Sequence, residues 1–420
     1  MINSISDYKN VTNRDYNRYQ FFFDCIIISL LVAPAVFLSS EDDRNNMLVF
    51  CMMLGAVTFP FLHIRLYSKL IPLICVFIGM VVFQIVFHLS TFRISTILFS
   101  LLFIIYYIIG VNILHKGDIN LWSYSKILKR IILAYFIVLL LQQLCVILSL
   151  PIFLGNNLSA NPWKLNSLSA EPSHTARLLG LAMYSFLTIQ SANERSYSLS
   201  KSMRLSPIVW SIFLYTMITT VSGTAFLVLG LILLRFISKR NMLICFGGIC
   251  LLGIVFISSN FSAFSRVFNF FSAAITLSAS NMMEADHSAS VRIVPAILCF
   301  ERINLLSLDG WIGTGIDTTS KWMSSEFYGV PEGFSGGEMI KFTLEYGVIV
   351  GSVFLWWTFK ICYDPHHKIS SIGFWIICVL LQSFNSQQLW CCLFLMTSNK
   401  YLLQKNLITT LYRNRYGQYN

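Results

Sequence analysis

The sequence predicts an all-α polytopic membrane protein with about twelve transmembrane helices, and three observations carry that expectation. Apolar residues fill 56% of the 420 positions and charged residues only 12%, against roughly 25% charge in ordinary soluble domains. Mean hydropathy is +0.67. Apolar runs recur at about the 17 residues or more that a helix needs to cross the hydrocarbon core. The short alternating segments of a membrane β-barrel are not visible in the sequence.

Taken in order, the spans read near 20–39, 47–64, 70–89, 94–114, 130–150, 175–192, 205–221, 223–238, 242–258, 338–359, 370–385 and 387–403. Spans 205–221 and 223–238 are joined only by Ser222 and Gly223, so one of them reads as a broken or re-entrant helix. The polar stretch 1–19 lacks the small-residue cleavage site of a signal peptide and is expected to be retained. With the N-terminus in the cytoplasm, most of the 30 basic residues fall on inner segments, as the positive-inside rule requires. Both termini are then cytoplasmic. Segments 151–174 and 259–336 become external loops of one membrane domain, 1–420. No internal duplication is visible, which argues mildly against a transporter built from repeats.

A net charge of +11 does not imply nucleic acid, because the basic residues are dispersed between apolar runs and form no block. Membrane lipid is the partner that this distribution fits. The eleven cysteines fall mostly inside apolar runs and include no C-x-x-C pair, so they read as small buried hydrophobes. There is no zinc-ligand pattern, Walker A or H-E-x-x-H motif, and no metal or cofactor is expected. The triplet Glu41-Asp42-Asp43 reads as a solvated tight loop in preference to a metal site.

Residues 288–315 interrupt the apolar pattern and read as an extramembrane loop handling a phosphate-bearing lipid. A helix is expected from Ser288 or Ser290 to about Leu306, with Arg292 and Pro295 near its start. Ile293, Ala296, Ile297 and Phe300 would form its packing side. Arg302 would lie roughly 80° round that helix from Arg292, with Glu301 and Asp309 as local partners. A guanidinium suits pyrophosphate because its planar fork donates bidentately and stays charged. The close, from Asp309 through Gly310, Gly313 and Gly315, is turn-rich. No strand precedes it, so it is not a dinucleotide fingerprint. The glycines are read as letting the loop fold tightly against the membrane mouth.

Two further patterns stand at helix starts. In Glu171-Pro172-Ser173-His174-Thr175-Ala176-Arg177, Pro172 marks the first helical position and Glu171 the cap. Spacings of three put Glu171, His174 and Arg177 on one face, at a helix N-terminus able to bind an anion. The plain alternative is an interfacial cap with a snorkelling arginine. Lys341 and Glu345, four apart, read as a local ion pair at the head of span 338–359.

These residues together resemble the Wzy-type O-antigen polymerases of the O-antigen polymerase/ligase superfamily. The likeness rests on two external loops, the EPSHTAR helix start, Arg302 followed after ten residues by Gly313, and the span opening GGEMIKFTLEYGVIVG. It implies a GT-C-like helical bundle in a bacterial inner membrane and an inverting glycosyltransferase without metal or cofactor. Such an enzyme joins undecaprenyl-pyrophosphate-linked oligosaccharide repeat units at the periplasmic face, with a lipid-linked donor, a lipid-linked acceptor and room for a chain-length regulator. On that resemblance Arg292 offsets charge on the leaving pyrophosphate, and Glu171, then His174, is the general base. Arg177, Arg302, Asp309, Gly313, Gly315 and Lys341 bind substrate. Related ligases, which move finished chains to lipid A core, often carry His-Asn before this span. Here the region reads Phe334-Ser335-Gly336-Gly337-Glu338, which favours polymerase. Ligase, lipid-linked-oligosaccharide flippase and non-enzymatic membrane partner are the alternatives.

Overall fold

A computed structural model describes residues 18–34, 45–61, 63–117, 119–152, 154, 162–192, 197–236, 287–327, 333–334 and 336–416. The expected span 242–258, the triplet Glu41-Asp42-Asp43 and the long loop before residue 287 lie outside them. No strand occurs among the described residues. In chain order the helices are α1 (18–31), α2 (Asn46–Thr58), α3 (Ile71–Phe87), α4 (Ile94–Lys116), α5 (Leu121–Ile147), α6 (Pro172–Ser191), α7 (Leu199–Leu205), α8 (Pro207–Thr219) and α9 (Gly223–Leu234). Then come α10 (His287–Glu301), α11 (Leu308–Ile312), α12 (Met323–Glu326), α13 (Glu338–Tyr346), α14 (Val348–Cys362), α15 (Lys368–Trp375) and α16 (Gln387–Tyr416).

Three helical stretches among the described residues are long and apolar enough to cross a membrane: Ser68–Phe87, Ile94–Lys116 and Leu121–Ile147. Shorter apolar helices include α2, α8, α9 and α14. Along α3 the residues Ile71, Ile78, Val82, Ile85 and Val86 are exposed. Exposure of that much contiguous apolar surface fits a lipid neighbour and not water.

Several expected boundaries shift for local reasons. α5 starts nine positions before the expected 130, because Asn120 caps it by accepting from Ser123 N. The expected span 338–359 is two helices, α13 and α14, parted at Gly347. The eleventh span ends in a π turn at Ile376–Leu380, and the last helix runs on to Tyr416, well past the expected 403. α10 stops at Glu301 instead of Leu306, and Pro295 is interior to it. Its packing side also differs: Val294 and Cys299 are buried, with Val291, Ile297 and Leu298 packed beside them, whereas Phe300 is exposed.

The chain divides into two compact units. In the first, drawn from Met1–Arg65, Leu102–Phe236 and Trp390–Asn420, α6 packs against α5, α8 and α9 and is buried nearly throughout. A buried polar line crosses this unit: Tyr124 OH donates to Asn399, whose amide donates to Ser185 Oγ at 3.0 Å. In the second, from Leu66–Leu101 and Ile237–Leu389, α14 packs on α3, α11, α13 and α15, and α10 on α13. The rings of Phe342 and Phe384 stack at 4.8 Å, with Phe354 beside both.

Candidate functional site

The second unit holds an ion cluster whose scaffold begins with a helix break. Ending α13 at Tyr346 leaves its last carbonyls without intrahelical partners. The loop after α11 supplies them: Thr314 N donates to Leu344 O at 3.0 Å and Gly315 N to Glu345 O at 3.1 Å. This contact needs glycine on both sides. Gly313 and Gly347 have φ of 96° and 89°, and a Cβ on either would lie 2.7 Å from the other's backbone nitrogen. The glycines do serve tight folding, with the break between α13 and α14 as their partner.

Gln84 of α3 locks the same junction. Its side chain is fully buried; Nε2 donates to Glu345 O at 3.1 Å, and Oε1 accepts from Ile316 N at 3.0 Å. The turn that follows is thereby fixed. Thr319 Oγ1 donates to Glu345 Oε1 at 2.6 Å, and Thr319 N points at the same oxygen. A buried carboxylate is tolerable when donors and a cation surround it. Lys341 Nζ is that cation, 3.8 Å away on the preceding turn of α13. Thus the expected Lys341–Glu345 pair forms, and it belongs to a longer chain of charges. Lys341 Nζ is 3.9 Å from Asp317 Oδ1, and Arg93 Nη1 is 2.9 Å from Asp317 Oδ2.

Sequence reasoning missed Gln84, Arg93, Asp317 and Thr319 as site residues. Gln84 carried a signal, since an amide inside the apolar run Ile71–Phe87 is costly unless it is used. Arg93 was legible only as a basic residue in a turn assigned outside. Nothing local in the sequence distinguishes Asp317 or Thr319.

Arg302 stands apart from this cluster. It follows the end of α10, so the helical angle relating it to Arg292 does not apply. Its guanidinium lies 3.8 Å over the Trp322 ring and pairs with Glu326 of α12, not with the expected Glu301 or Asp309. Asp309 is exposed in the first turn of α11, where its carbonyl accepts from Gly313 N at 2.8 Å. Arg292 lies on α10 with its side chain outside the described residues. On the buried face of α10, burial pushes the Cys299 thiol up to about 12, and the Glu345 carboxylate acts in the same direction.

The first unit holds the other expected group. Glu171 is the cap of α6 with Pro172 at its first position, as the pattern predicted. The segment leading to it is not a solvent loop in its described part: residues 165–169 are buried. Ser167 N donates to Gln142 Oε1 at 2.8 Å, Ser167 Oγ to Tyr135 O at 2.5 Å, and Asn166 Nδ2 to Ser169 O at 2.7 Å. This packing fixes the start of α6, leaving Glu171 exposed and His174 half-buried. Ser173 Oγ donates to Glu171 Oε2 at 3.1 Å. Arg177, one turn further along α6, is buried within the unit.

Among the described residues no three His, Cys, Asp or Glu side chains gather as metal ligands. Compared with protein-family models, curated proteins and solved structures, the chain matches none.

Proposed function

We propose that this chain is an inverting glycosyltransferase of the Wzy O-antigen polymerase type, with about twelve spans in a bacterial inner membrane and both termini in the cytoplasm. One observation carries the reading. Two segments that the expected topology places outside, the turn at Arg93 and the loop at Asp317, meet in one ion cluster with Lys341 at the head of the next span, all in the second unit. Its two cations, Arg93 and Lys341, are balanced by the carboxylates of Asp317 and Glu345; a guanidinium and an ammonium beside apolar helices suit an anionic lipid headgroup, and a lipid-linked sugar pyrophosphate is such a ligand.

The reaction follows from that substrate. An acceptor-sugar hydroxyl attacks the anomeric carbon of the donor from the face opposite the pyrophosphate. A new C–O bond forms as the bond to the pyrophosphate oxygen breaks, and the leaving lipid pyrophosphate takes the electron pair. Arg292, with Arg302 of the same unit, is proposed to offset that growing charge, with Lys341 holding the substrate. The hydroxyl proton passes to a general base.

The test is reconstitution with a lipid-linked repeat unit and a gel read for a polymer ladder. Arg292→Ala should lower ladder formation by about 100-fold, the usual scale for removing one transition-state charge partner, with the protein still in the membrane. Wild-type ladders from that variant would remove Arg292 from the centre of the mechanism. In cells, loss of the protein should leave single repeat units on lipid A core. Bare core would mark a ligase, and translocation without bond formation a flippase.

A further inference from the structure

Asp317 sits where two cations from distant parts of the chain converge. Arg93 Nη1 is 2.9 Å from one of its carboxylate oxygens and Lys341 Nζ is 3.9 Å from the other. The backbone beneath is held firmly. Ile316 N donates to Gln84, Ser320 Oγ donates to Asp317 O at 2.7 Å, and Thr319 is tied to the buried Glu345. Asp317 itself keeps a φ of 55°, a left-handed conformation that aspartate adopts more readily than most non-glycine residues.

The carboxylate is a weak occupant of this position. The Arg93 side chain is 65% exposed, and a solvent-screened ion pair contributes little. The Lys341 distance exceeds hydrogen-bond range. A phosphate offers paired oxygens in much the same arrangement, with more charge, to a guanidinium fork and an ammonium. Because the Lys341 side chain is still 19% exposed, solvent reaches both cations.

We infer that Arg93 and Lys341 form a phosphate-recognising site which the Asp317 carboxylate occupies in this structure, so that a phosphate-bearing ligand binds by displacing it. The ligand class is a phosphate or pyrophosphate group, free or carried on a lipid. The inference rests on the polymerase reading for its biological ligand, the pyrophosphate of a lipid-linked glycan. It makes Asp317 a built-in competitor. A residue that merely organised the two cations would have the opposite effect on affinity when removed.

The full chain in neutral-lipid nanodiscs would be titrated calorimetrically with inorganic pyrophosphate and, in a second arm, with a water-soluble short-chain isoprenyl pyrophosphate. Asp317→Asn should tighten binding about tenfold, and Arg93→Ala and Lys341→Ala should each weaken it by a similar factor. Tightening in the first arm alone identifies the free ion as ligand, and in the second arm alone the lipid-borne group. Weaker or unchanged binding by Asp317→Asn overturns displacement. Should that variant misfold, unchanged binding by Arg93→Ala overturns the site. A ladder from wild type with no tightening by Asp317→Asn removes displacement and leaves the polymerase. Tightened pyrophosphate binding with no ladder does the reverse.

Discussion

Single residues in the second unit show how a polar group earns a place beside apolar helices. Gln84 satisfies the Ile316 N–H that the turn would otherwise leave open, and gives the Glu345 carbonyl, already paired with Gly315 N, a second donor. Gln84→Leu should therefore destabilise the protein by about 1–3 kcal/mol, the cost of leaving such groups unsatisfied, read as a lower thermal midpoint in detergent. Gly347→Ala should do at least as much, since it adds left-handed strain to a backbone clash. Gly230→Ala is the control: nothing lies within 4 Å of its added methyl, and stability should hold or rise. Cys299 makes a chemical prediction. With its thiol pushed up to about 12, almost no thiolate exists near neutrality. Maleimide should leave Cys299 unmodified at pH 7, and raising the pH to 9 should change little while the fold persists.

At the scale of elements, α10 and α13 behave as a packed pair. Val294, Cys299, Met323, Phe327 and Leu344 are buried together. Phe327→Ala should cost about 3–5 kcal/mol, as for other deleted buried rings, and should open Cys299 to maleimide at alkaline pH. The start of the helix near Ser288 was legible in the sequence, yet its end at Glu301 and its packing face were not. Ile293, Ala296, Ile297 and Phe300 form a reasonable apolar stripe, but which stripe is covered depends on what lies opposite, and here Met323 and Phe327 select the Val294–Cys299 side. The α13–α14 break was hidden for a similar reason. Gly347 inside an apolar run is compatible with a continuous span, and only the loop bringing Thr314 and Gly315 to the exposed carbonyls makes the break stable.

For the whole molecule, the described helices that are long and apolar enough to cross a membrane give a direct expectation. The protein should stay in the membrane fraction through high salt and alkaline carbonate, because its attachment is burial in hydrocarbon and not surface charge. Release by carbonate would contradict that. The orientation proposed above can be read separately: reporters inserted within 197–204 should be cytoplasmic, and those within 319–326 external.

Composition and hydropathy alone determined that the chain is helical and carries segments apolar enough to cross a membrane, because a helix satisfies its own backbone polar groups within such a segment. They also located the Glu171 cap and the Lys341–Glu345 pair, since helix starts and i,i+4 spacing are local. Only the tertiary structure decided that Arg93, Asp317 and Lys341 share one cluster, that Arg302 pairs with Glu326, and that Arg177 is buried. Those facts join positions separated by long stretches of chain, and no local pattern encodes which distant charge will arrive beside another.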